Sequence, residues 1–128
     1  MTVQHVALET RRGDVESEVR FWGLLGFARV LCVGDYLSPV EIPWLQEHGD
    51  RAAYLATLRR LQPYVEQADW VVPGHGAPLD AQRALAILRE DVKYLESLDA
   101  SAPERAALPL ARRDRVQQQI HADNLQRL

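Results

Sequence analysis

Asp35 follows the apolar run Val30-Leu31-Cys32-Val33 and Gly34, and some forty residues later His75 stands in Val71-Val72-Pro73-Gly74-His75-Gly76. Each places one donor atom in a turn just beyond a strand-like run. Carboxylate oxygen and imidazole nitrogen are ligands for divalent zinc, and also for iron or manganese. Such an ion needs three or more of them for a catalytic site. A third could come from His5 in Val3-Gln4-His5-Val6, if strand alternation turns its ring the same way. Each candidate also has a plainer reading. Gly-Asp after a strand is a common turn in which the aspartate caps backbone N–H groups. A histidine between glycines can simply bond a carbonyl, and a histidine on a strand can be a satisfied core residue. A bound metal, zinc or else iron or manganese, is therefore the expected cofactor, with no cofactor as the alternative.

The other polar candidates are weaker. His121 and Asn124 lie three apart near the C-terminus and would share one helix face. They read as a substrate-side contact, a structural tie or plain surface. His48 reads as a solvated loop residue, while Glu41 and Asp80 are spare carboxylates near the loops. Asp80 is adequately explained as a helix N-cap. Cys32 is the single cysteine, so no intramolecular disulfide forms, and its apolar surroundings predict a buried thiol. Trp22, Trp44 and Trp70 read as core and loop anchors. There is no Gly-x-Ser-x-Gly elbow and no phosphate loop.

The elements that must position these residues follow from hydrophobic period and punctuation. Thr2 to Leu8 reads as a strand. Asp14 then caps a helix carrying Val15, Val19, Trp22 and Leu25, which Gly26 ends. Phe27 to Val33 is apolar almost throughout and predicts a centre strand covered on both faces. Tyr36 to Trp44 holds Pro39 and Pro43, which suits an ordered loop packed on the body. Asp50 caps a helix with Tyr54, Leu55, Leu58, Leu61 and Val65 inward, and Trp70 to Val72 is a short strand. Asp80 caps a further helix with Leu85, Leu88, Val92 and Leu95 inward. A last helix from about Arg112 to Leu128 places Val116 and Ile120 on its apolar side. The fold class is α/β, with α+β left open: a small sheet of three strands with flanking helices.

At 128 residues the chain predicts one domain, with a net charge of -3 that leaves no basic excess for nucleic acid. The arginines around Arg112, Arg113 and Arg115 read as a solvated helix face. No apolar run has the length of a membrane span, and no signal-peptide core is evident, so a cytoplasmic location is expected. So short a sheet suggests either that strands are gained from a second copy, a homodimer, or that the chain holds further strands its pattern does not mark.

From about Leu31 onward the chain resembles the C-terminal half of the metallo-β-lactamase fold, the superfamily of glyoxalase II-like hydrolases. The words that carry this are "VGDYLSP" at 33–39, "VVPGHGAPL" at 71–79 and "RRDRVQQQIHADNL" at 112–125. The resemblance implies half of an αββα sandwich, with Asp35 and His75 as metal ligands and hydrolysis of a thioester, lactone or β-lactam. The His-x-His-x-Asp-His cluster that completes such a site is absent, so catalysis by this chain is left open. "VQHVALE" and "FWGLLGF" in residues 1–30 are similar to the β-α-β opening of the vicinal oxygen chelate family, which includes glyoxalase I. There His5 would take a ligand position. These resemblances imply one domain of composite origin, 1–30 and 31–128, with a small-molecule substrate if it is active. A metal-dependent hydrolase-like protein with an incomplete site is the leading reading. A non-catalytic self-associating scaffold and a vicinal oxygen chelate type fragment are the alternatives.

Overall fold

In the computed structural model, which describes residues 15–47, 49–99, 101–102 and 105–128, the order of elements is helix, strand, helix, strand, helix, helix. Helix α1 is Val15–Leu24, strand β1 Val30–Gly34, helix α2 Arg51–Gln67 and strand β2 Trp70–Pro73, followed by helices α3, Ala81–Ser97, and α4, Arg115–Gln126. The expected strand at Thr2 to Leu8, and Asp14 as a cap, lie outside the described residues. So do the side chains of Val15, Val19 and Trp22.

β1 and β2 pair in parallel, Val30 with Trp70 through Gly34 with Pro73. Parallel neighbours cannot be joined by a tight hairpin, and α2 supplies the crossover between them. The fold is a small α/β one. Among the described residues the sheet has two strands, with Leu79 adding one antiparallel bridge to Val71 on the far side of β2. Because the strands run the same way, the turns holding Asp35 and His75 leave the sheet at one end. The register shifts between Cys32 and Gly34, so β1 carries one extra residue immediately before the Asp35 turn. Bulges of this kind re-aim the chain beside functional turns.

The caps at Asp50 and Asp80 follow the sequence, while the last helix starts at Arg115 behind an Asp114 cap rather than at Arg112. The Asp50 carboxylate accepts from Ala52 N–H, that of Asp80 from Arg83 N–H, and that of Asp114 from Val116 and Gln117 N–H. Each satisfies donors that the first turn leaves unpaired. Pro63 stands inside α2, four residues before its last residue. The core lies where α2 and α3 pack on one face of the sheet, around Leu58, Val65, Val71, Ile87, Leu88, Tyr94 and Leu95.

Several expectations are corrected. Among the described residues β1 is not covered on both faces: Val33 is buried, but Val30 and Cys32 are exposed, so the thiol is not a core group. Trp44 and Trp70 are both about half exposed and do not anchor the core. Ala84, Ile87, Asp91 and Tyr94 join Leu88 and Leu95 inside α3, rotating its buried face from the expected one. The buried residues of α4 are Gln117 and Asn124; Ile120 packs partly buried against the core as expected, while Val116 is 63% exposed. Arg112 is not solvated either but almost fully buried. No helix among the described residues is long and apolar enough to cross a membrane.

Candidate functional site

Asp35 and His75 come together. The Gly74 N–H donates to the Gly34 carbonyl at 2.6 Å, tying the two strand-end turns to each other. Gly74 permits this because a Cβ there would lie 3.1 Å from Asp35 Oδ1 and 3.2 Å from the Gly34 oxygen. Gly76 has φ +98°, a left-handed backbone that favours glycine, and a Cβ on it would stand 2.6 Å from Pro39 Cγ. The loop after β1 therefore presses directly on the histidine turn.

Within this frame, His75 Nε2 lies 3.7 Å from Asp35 Oδ1, and His75 Nδ1 lies 3.8 Å from Glu41 Oε1. Both distances exceed a hydrogen bond, so the ring stands between two carboxylates without being bonded to either. Tetrahedral zinc with bonds of about 2.1 Å separates its donors by about 3.4 Å. A small side-chain movement would let Oδ1 and Nε2 share one ion. Glu41 then occupies the place from which a carboxylate commonly steadies a ligating imidazole through its other nitrogen. The donor set suits zinc, but it supplies two ligands, not three. Among the described residues there is no group of three His, Cys, Asp or Glu able to hold a metal ion. His5 and His48 lie outside the described residues.

The loop carrying Glu41 is irregular yet largely buried, and its backbone is held by side chains from far along the chain. Ser38 Oγ accepts from the Val40 and Glu41 N–H groups and donates to the His75 carbonyl at 3.1 Å, linking this loop to the histidine turn. Gln117 Oε1 accepts from Ile42 N–H, and Asn124 accepts from Leu45 N–H while donating to the Pro43 carbonyl. Arg112 donates to the Ser38 and Glu41 carbonyls and to Asp91 Oδ1, the last at 2.6 Å, with Glu90 Oε2 at 3.1 Å. A loop with buried peptide groups must find such partners, because unsatisfied ones are costly. Burial pushes the Asp91 carboxyl up, with Arg112 pulling against it. Desolvation outweighs attraction here, as is common for ion pairs taken out of water.

Tyr94 joins the same network. Asn124 Nδ2 donates to its hydroxyl at 3.0 Å, which leaves the hydroxyl proton for His121 Nδ1, also at 3.0 Å. Burial raises the Tyr94 hydroxyl to about 12 and lowers the His121 imidazole. His121 and Asn124 thus sit against Tyr94 and the 43–45 loop segment, away from the Asp35–His75 pair. Tyr54 packs against Tyr36, the residue after Asp35, with ring centroids 4.7 Å apart and planes tilted by 53°, and burial first, then Asp91, Tyr36 and Asp35, push its hydroxyl up.

Sequence reasoning passed over Glu41 as a spare carboxylate and missed Ser38 altogether. The signal for Ser38 was local, since a serine hydroxyl two or three residues before free N–H groups is a standard turn acceptor. Nothing local marked Glu41. A surface depression of 510 Å³ lined by Arg20, Leu24, Phe27, Arg29 and Asp69 contains none of these candidates. No family model matches the chain, and neither does any curated protein or any solved structure.

Proposed function

We propose that this chain is a metal-binding module of metallo-β-lactamase type, holding a divalent ion, zinc in the first instance, through Asp35 and His75. The observation that supports this is the 3.7 Å approach of Asp35 Oδ1 to His75 Nε2, with Glu41 on the ring's other nitrogen. Asp35 would bring the negative charge and His75 the imidazole nitrogen, and a closer approach of Glu41 to Nδ1 would turn Nε2 toward the ion. When bound, the ion supplies Lewis acidity for attack on an ester-like carbonyl. Two protein donors hold it weakly, and the reading assigns little or no hydrolysis to the isolated chain.

Equilibrium dialysis against zinc sulfate, with metal analysis of the retained protein, tests this. Zinc should be retained by the wild type and lost on Asp35→Asn or His75→Ala. Equal retention by all three would sink the assignment. Turnover of a thioester, a lactone or a β-lactam by zinc-loaded protein, abolished in both variants, would extend the reading to a working hydrolase.

A second reading, a non-catalytic module that associates through its sheet, is favoured by the exposure of Val30 and Trp70, which are paired across β1 and β2. It expects self-association that ignores chelator.

A further inference from the structure

We infer that the 43–45 segment is held by an acid-sensitive latch, in which the neutral ring of His121 sets the direction of a hydrogen-bond chain that ends on the loop backbone. The device needs no bound ion. Two backbone groups fix its first link. Leu45 N–H can only donate and the Pro43 carbonyl can only accept. The Asn124 side chain must therefore turn Oδ1 to the former, at 2.8 Å, and Nδ2 to the latter, at 2.7 Å. The same Nδ2 lies 3.0 Å from the Tyr94 hydroxyl oxygen, which accepts. The hydroxyl proton is left for His121 Nδ1, at 3.0 Å. The ring must then be neutral, with its own proton on Nε2.

Protonation reverses the demand at the far end. A charged ring carries N–H on both nitrogens, so Nδ1 can only donate and the Tyr94 hydroxyl proton loses its acceptor. Tyr94 and Asn124 are 1% and 0% exposed, and an orphaned donor at such depth is costly. The acceptor within reach is Asn124 Oδ1, once the amide turns over. That turn presents Nδ2 to the Leu45 N–H and Oδ1 to the Pro43 carbonyl, donor to donor and acceptor to acceptor. Both bonds to the loop are lost together. From α3 the titratable group facing the ring is Tyr94, with ring centroids 5.8 Å apart. On α4 the Asp123 carboxylate accepts from Gln119 instead. Burial is what lowers the imidazole, and among the described residues no charged group of α4 or of the 38–45 loop acts on it. The released stretch is continuous with Glu41 and with Ser38, whose hydroxyl bonds the His75 carbonyl. Acid thus loosens the rim beside the strand-end turns.

The test is a pH titration of the full chain by NMR, following the His121 ring, the Leu45 amide and the Asn124 side-chain amide. The Leu45 and Asn124 signals should shift with the midpoint of the ring, which lies below the ordinary 6.5. Below that midpoint, hydrogen exchange at Leu45 N–H, corrected for its chemical rate at each pH, should rise about tenfold, the size of one lost hydrogen bond. In Tyr94→Phe the ring should still titrate while Leu45 no longer follows it. In His121→Gln the Leu45 signal should not titrate in this range. A Leu45 amide that stays silent while the wild-type ring titrates would overturn the latch, and that outcome needs no variant. A Leu45 amide that follows the ring equally in Tyr94→Phe would overturn it too, because the hydroxyl would not be carrying the link.

Discussion

The strand-end turns and the C-terminal helix treat polar side chains in opposite ways. At the turns, Asp35, Glu41 and His75 stand in solvent, close together and bonded to nothing strongly. Along the helix and the segment before it, Arg112, Gln117 and Asn124 are buried and each is bonded to the backbone of the 38–45 loop. Structural polar groups are satisfied in the fold, whereas the groups proposed to bind an ion are left open. The difference separates what holds this protein together from what it could do.

The sharpest way to break that comparison is Arg112→Met. It removes one partner of a buried ion pair and strands Asp91, and it should cost about 3–5 kcal/mol in urea unfolding. A loss below about 1 kcal/mol would mean that the buried network is not structural. Next comes Gly76→Ala. The left-handed backbone alone should cost about 1–2 kcal/mol, and displacement of Pro39 adds to it. Zinc retention should fall in the same variant because His75 moves, which would couple the two regions.

A smaller effect concerns acid. The folded chain holds His121 below the ordinary 6.5, so its ring is favoured neutral, with Nδ1 accepting from Tyr94. Stabilisation from this group is complete above that value and is lost as pH falls through the lowered one. From about pH 7 to pH 5 the wild type should therefore lose more stability than His121→Gln, measured by thermal unfolding at each pH. Parallel curves would deny His121 that role. The smallest change in stability should come from His75→Ala itself, within about 0.5 kcal/mol by the same measurement, since the ring is exposed and makes no hydrogen bond through its side chain that the fold depends on. A large loss there would show that the open site is structural after all.

What the sequence made legible was local. Strand, turn and aspartate at 30–35, the glycine-flanked histidine turn, and the aspartate caps at positions 50 and 80 all rest on interactions within a few residues. What it hid was long-range. Gln117 bonds Ile42 across 75 positions and Asn124 bonds Leu45 across 79. Hydrophobic periodicity gave the inward face of α4 to Val116, because it counts apolar side chains and not the peptide groups of a distant loop that needs polar partners. Arg112 was misplaced for the same reason, since a run of arginines reads as solvated until its carbonyl partners are known. The apolar run at β1 suggested cover on both faces, yet Val30 and Cys32 stand exposed while Val33 is buried. Glu41 joined the candidate site through the path of its loop, which no motif encodes.

The C-terminal helix and Arg112 grip the 38–45 loop through its carbonyls and amides, not through the side chains that the loop displays. The helix works as a jig: it clamps the ribbon of chain and is indifferent to most of what projects from it. Exposed positions such as Val40 and Trp44 are thus interchangeable fittings on a fixed mount. A side chain exchanged at one of them would alter the rim without disturbing the clamp, which makes this short stretch a natural place for new chemistry to be acquired.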